Sequence, residues 1–141
     1  MKTMIGFLCA LALAGVLIAE SSVPLVADMP FAFYVGEQWM RAGEYSVQRE
    51  AGRSLVWVSP SEPAARAVYF AFGAAAKVKE SRQNLLVFNK YGERYFLSQI
   101  IHAGDNVASE LTRSAREREI VTSTLVSGIR PTRVVIVAHV R

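Results

Sequence analysis

Cysteine and histidine are almost missing from this chain. Its 141 residues hold one cysteine, Cys9, and two histidines, His102 and His139. Cys9 lies in an apolar run near the N-terminus, so the rest of the chain offers no thiol, no disulfide and no cysteine metal ligand. The two histidines fall in different segments, without the close spacing of a metal site. No metal, no cofactor and no catalytic residue set is therefore expected. Apolar runs are also short. None reaches the roughly 20 residues that a membrane-crossing helix needs. Charge of one sign is never concentrated. The net charge is +4, acids are mixed among the bases, and no basic cluster is interleaved with aromatics, which argues against nucleic acid as a partner.

What is present begins with a leader. Lys2 supplies a positive start, Met4 to Ala19 is uncharged and apolar, and Ala19-Glu20-Ser21 places small residues at the −3 and −1 positions of a cleavage site. Residues 1–21 are read as a secretory signal peptide, with an uncleaved anchor as the rival reading. Cys9 sits inside the run rather than ending it, which argues against a lipid-attachment site. Loss of Lys2 and Glu20 together leaves the net charge at +4. The expected organisation is 1–21 signal peptide, 22–29 lead-in and 30–141 a single β-rich domain. The expected location is periplasmic or extracellular. With 52% hydrophobic and 20% charged residues, a body of this size can bury a core without cross-links.

The pattern after residue 30 has the period of strands. Phe31, Phe33 and Val35 alternate, Gly36-Glu37 turns, and Tyr45 and Val47 resume the alternation, which reads as a hairpin. Ala51-Gly52-Arg53 makes the next turn. Leu55 to Val58 and Ala67 to Phe72 are further strands, the first ended by Pro60 and Pro63. Leu85 to Asn89 and Arg94 to Ile101 flank Lys90-Tyr91-Gly92-Glu93, the clearest hairpin, because Gly92 can take the positive φ of a tight turn. Ser114 and Glu117 have capping-box spacing, so a helix is expected from Ala115 to about Leu125, with Ile120, Val121 and Thr124 on its apolar side. Gly128 and Pro131 stop it. Val134 to Ala138 closes the sheet. The fold class is mainly β: a small antiparallel β-barrel or two-layer sandwich of about seven strands, with one short C-terminal helix across one end.

Three segments carry a resemblance. Met29-Pro30-Phe31-Ala32-Phe33-Tyr34-Val35-Gly36, Ala42-Gly43-Glu44-Tyr45-Ser46-Val47, and Leu86 to Ser98 with Tyr91-Gly92 and Tyr95-Phe96-Leu97-Ser98 resemble small secreted β-rich proteins of unknown function common in acidobacteria. Those proteins share a PF-F-VG strand, an AGEY-V strand and an F-x-x-YG-x-x-YFLS hairpin, and end in a charged helix that Ser114 to Glu119 would supply here. The likeness spans roughly Met29 to Ile120. It implies an exported β-domain and carries over no catalytic residue. The strand-like character of Ile129 to Arg141 departs from the pattern.

The chemistry-bearing residues are few. His102 stands near Asp105 and Ser109, but neither a nucleophile elbow nor an oxyanion donor accompanies them. The carboxylates Glu37, Glu44, Glu93, Asp105 and Glu110 are scattered, whereas glycoside hydrolysis needs a facing pair. Arg113, Arg116 and Arg118, with Glu117 and Glu119, read as a solvated helix face or a partner-binding patch. The aromatics recur in every strand. Phe33, Tyr45, Trp57, Phe70, Phe88 and Phe96 are the candidate lining of a barrel pocket, or else simply core. The expected function is a non-enzymatic binding or envelope-associated structural protein. Its expected partner is an envelope component or a small apolar ligand. A carrier for such a ligand and, more remotely, a hydrolase are the alternatives.

Overall fold

The computed structural model describes residues 23–50, 55–62 and 68–141, with side chains from residue 75 onward in the last stretch. The segment read as a signal peptide and the turn expected at 51–53 lie outside the described residues. Ten strands and one helix follow in order: β1 Leu25–Met29, β2 Phe33–Val35, β3 Gln38–Met40, β4 Gly43–Arg49, β5 Leu55–Pro60, β6 Val68–Lys77, β7 Asn84–Tyr91, β8 Arg94–Ile101, β9 Val107–Leu111, α1 Ala115–Ser127 and β10 Thr132–Val140.

All the strands join one curled, barrel-like sheet in the order β3-β2-β8-β7-β10-β1-β4-β5-β6-β9, and β9 also pairs with β8. The pairings thus form a circuit of eight strands, with β2 and β3 as a side branch. One edge of β8 is shared. Its Phe96 end takes β2, in the one parallel pairing among the described residues, and Gln99 and Ile100 take Glu110 and Ser109 of β9.

The mainly β expectation holds, but the strand count is larger than seven. Three strands escaped the pattern. Residues 25–29, expected as lead-in, form β1 between β10 and β4. Its alternation of buried Leu25, Ala27 and Met29 with Val26 and Asp28 is a strand signature despite the preceding Pro24. β3 was hidden because Gly36-Glu37 makes a tight two-residue turn, which pairs Val35 with Gln38 and Phe33 with Met40. The expected hairpin between the Phe31 and Tyr45 segments is therefore replaced by β2–β3, and β4 pairs with β1 and β5 instead. β9 follows the loop at His102 to Asn106 and pairs with the C-terminal half of β6. That half, expected as a small polar segment, continues as strand past a register shift between Phe72 and Ala74.

The β7–β8 hairpin matches expectation, with Tyr91 opposite Arg94 and Gly92 at φ 61°. It contains one irregularity with a clear use. Phe88 pairs with Leu97 but Val87 pairs with Gln99, so Ser98 is an extra residue in β8. The bulge shifts the alternation by one, which lets both Leu97 and Ile100 face the core.

The core is continuous. Leu25, Met29, Phe33, Val35, Val47, Val56, Val58, Leu86, Phe88 and Ile100 are buried almost completely and pack in one cluster. The Phe33 ring meets Tyr45 edge-on at 5.1 Å and Phe88 at 5.5 Å. At one end, Phe31 stacks on Tyr95 at 3.8 Å and meets Phe88 edge-on. These geometries suit the opposed charge of ring edges and faces.

The helix ends two residues beyond its expected stop. Ser114 caps it by accepting from the Glu117 N–H. Gly128, at φ 74°, donates to the Thr124 carbonyl, and so does Ile129. The helix does not simply lie across a barrel end. Its first turn is held against the outer face of β7.

Candidate functional site

The helix–sheet seam is built around a carboxylate that is almost wholly buried. In a capping box the Glu117 side chain would turn back to the Ser114 N–H. Here it reaches the sheet instead, accepting from Asn89 Nδ2 at 3.0 Å and from the Tyr91 hydroxyl at 3.0 Å. Arg113 Nε stands 3.9 Å away. Asn89 and Tyr91 alternate with the core residue Phe88, so both face outward from β7. Burial, reinforced by the Glu117 charge, pushes the Tyr91 hydroxyl pKa up to about 12.

An aromatic row extends the seam across the outer face. The Phe96 ring touches Tyr91 edge-on at 5.9 Å and stacks on Tyr34 at 4.9 Å. Tyr34 is paired directly with Trp39, so the two side chains stand on the same side of the sheet. The Arg116 guanidinium lies 5.4 Å from the Tyr34 ring centre. Arg116 also donates its backbone N–H to Glu37 Oε1 at 3.1 Å, with its side chain 3.7 Å from Oε2. Glu37, in the β2–β3 turn, thereby caps a helix start nearly eighty residues later in the sequence. Both side chains of that ion pair are about half exposed, so its value lies in the cap more than in the charge. Trp39 is 51% exposed, on a strand with no second neighbour among the described residues.

The three arginines, read from the sequence as a solvated helix face or a partner-binding patch, have separate tasks. Arg113 faces Glu117, Arg116 faces Tyr34 and Glu37, and Arg118 donates to the Arg113 carbonyl at 2.9 Å. The sequence pattern missed Tyr34, Trp39, Asn89 and Tyr91. The only local signal was the Gly36-Glu37 turn, which places Tyr34 opposite Trp39.

The six candidate pocket residues do not share one surface. Phe33, Tyr45 and Phe88 come together, packed on one another in the core. Phe96 faces the other way, toward Tyr34 and Tyr91. Trp57 lies between the core residues Val56 and Val58, and so points outward. The Phe70 side chain lies outside the described ones.

His102 lies at the end of β8, half-buried. Arg49 continues the inward face of Tyr45 and Val47 and donates to the buried Ser109 Oγ at 3.2 Å. Asp105 N–H donates to the His102 carbonyl, closing the turn. Among the described residues no hydrogen bond joins the His102 ring to Ser109 or Asp105. The Ser109 hydroxyl is engaged by a guanidinium, which cannot act as a general base. Burial, then the Arg49 charge, holds the His102 pKa below the ordinary histidine value, and Asp105 opposes this. A native-state pKa below that of the unfolded chain leaves the His102 contribution intact above about pH 6.5 and removes it as pH falls. Imidazole NMR is expected to show a midpoint below 6.5 that rises in Arg49→Met. An unchanged midpoint would dismiss the Arg49 contribution.

Among the described residues no group of three or more metal-ligating side chains occurs, and no helix is long and apolar enough to cross a membrane. Comparison with family models, with curated proteins and with solved structures finds no match to this chain. The outer aromatic seam is the strongest candidate site on its own geometry.

Proposed function

We propose that this chain is an exported, non-enzymatic β-domain that binds a protein partner of the cell envelope through the outer face of β2 and β3. The observation that carries the proposal is the exposed Trp39 beside Tyr34 and Arg116, on the sheet's free edge. Tryptophan, tyrosine and arginine dominate the energetics of protein interfaces. Two of the three are already held in place: Phe96 stacks on Tyr34, and Glu37 fixes Arg116 through the helix cap. Little side-chain freedom would remain to be lost on association. The unpaired strand beside them offers backbone groups to an added strand. The resemblance to small secreted proteins and the leader-like residues 1–21 support export.

Site-specific photo-cross-linking in the native envelope tests the surface. A benzophenone side chain at position 39 is expected to capture a defined partner, whereas one at Gln83, in a distant loop, captures none. Arg116→Ala should weaken capture about tenfold, the scale of a modest interface hot spot. Equal capture at both positions would remove the proposal. Mass mapping of the mature N-terminus is expected to find Ser22 first, and a mature chain still beginning at Met1 would refute the cleavage. Turnover by the purified protein that disappears in His102→Ala would overturn the non-enzymatic reading.

A further inference from the structure

The last acidic residue of the chain is Glu119; from residue 120 to residue 141 the only full charges on side chains are Arg130, Arg133 and Arg141. Among the described residues, most of the large apolar side chains that are exposed lie in this stretch. Leu125 is 76% exposed, Val126 88% and Ile129 55%. These three form one tip. Leu125 and Val126 occupy the last turn of α1, and the Ile129 N–H is bonded to the Thr124 carbonyl, which folds Ile129 back against that turn. Arg130 follows at once and Arg133 lies at the start of β10, both exposed. On α1 the nearest acid, Glu119, lies two turns before Val126, about 10 Å along the axis.

Scattered single apolar residues are ordinary on a protein surface, but three close together at one exposed helix end are not. Folding does not need them: the helix is held at its other end, through Glu117 and Glu37. Apolar side chains followed along the chain by arginines and by no acid have the composition of a surface that enters the headgroup region of an anionic bilayer. The apolar groups enter the acyl boundary while the guanidinium groups meet lipid phosphates. Guanidinium suits phosphate because its planar fork can donate two bonds to one group.

We propose that the tip formed by Leu125, Val126, Ile129 and Arg130, with Arg133 behind it, docks the domain onto an anionic lipid surface. This surface is separate from the Trp39 seam, so each can fail alone.

The test is co-sedimentation of the full chain with vesicles of phosphatidylcholine alone, or with about a third phosphatidylglycerol. Binding is expected only to the anionic vesicles. It should fall about tenfold in Leu125→Ser/Val126→Ser and by a similar factor in Arg130→Glu/Arg133→Glu. Hydrogen exchange on the bound protein should slow between residues 122 and 133. Attachment through the apolar residues 4–19 would persist on neutral vesicles and in both variants, and that result would overturn the proposal. So would failure to bind either vesicle, which would leave the tip to a protein partner. Each substituted side chain is exposed, so unchanged thermal midpoints are expected and separate lost docking from lost folding.

Discussion

Replacing Phe33 with alanine is expected to remove about 3–5 kcal/mol of stability, a large share of the roughly 5–15 kcal/mol that holds a domain together. Phe33 has no exposed surface, and its ring is wedged between Tyr45 and Phe88. Truncation removes the transfer energy of the ring and leaves a hole between two residues on different strands. Urea unfolding should show a midpoint lower by about 2 M with the slope unchanged. Val135→Ala, at a half-exposed position on the outside of β10, should cost no more than about 0.5 kcal/mol. The comparison separates two descriptions of the interior. A hollow barrel lined by aromatics tolerates loss of one lining ring, whereas a filled core does not. A cost below about 1 kcal/mol for Phe33→Ala would favour the hollow description and reopen the carrier reading.

The second large effect is at Glu117. Glu117→Ala strands the Tyr91 hydroxyl and the Asn89 amide, both turned toward a carboxylate that is gone. Unsatisfied buried donors and a lost charge-assisted bond put the cost at about 2–3 kcal/mol. The loss should appear first as fraying of α1, seen as faster hydrogen exchange in residues 115–121. Tyr91→Phe removes one donor and keeps Asn89 as a partner, so about 1 kcal/mol is expected. The tyrosine also makes a prediction in alkali. Its folded pKa is about 12 against an ordinary 10.0, first through burial and then through Glu117. The folded state therefore binds the proton more tightly. That contribution is complete below pH 10 and disappears as the pH rises towards about 12. Ultraviolet titration should show two tyrosines ionising late, Tyr91 and the buried Tyr45, and Glu117→Gln should bring Tyr91 alone closer to the ordinary value. Late ionisation that is unchanged in Tyr91→Phe would refute the assignment, because only the Tyr45 share should remain.

Period and punctuation in the sequence foretold some of this structure and not the rest. The β7–β8 hairpin was legible because Gly92 marks a turn between two long apolar segments. The helix was legible through Ser114 and Gly128, whose capping roles are local. β1 was obscured by the proline before it, β3 by its length of three residues, and β9 by its position just after a loop and by Ser109 and Glu110 within it. The seam was not legible at all. Glu117 matches a local motif, but its side chain serves Asn89 and Tyr91, 28 and 26 residues earlier. Phe96 looked like the other core aromatics, and only the bulge at Ser98 separates its face from that of Ile100. Contacts set by strand order cannot be read from spacing.

Strand order also fixes when this protein can fold. β10, the last of the described strands, lies between β7 and β1, where Leu25 pairs with Val140 and the Arg141 N–H reaches the Pro24 carbonyl. The first described strand therefore waits for the last. Until residues 132–140 emerge, β1 and β7 each present an unpaired edge facing the same gap. Contacts so distant in sequence form slowly, after the loops between them have closed. A growing chain of this design stays open until residues 132–140 have emerged. A protein that must be threaded unfolded through a narrow channel gains from that delay. The same delay exposes it to pairing with neighbouring copies, so a chaperone that shields β1 and β7 would raise its yield.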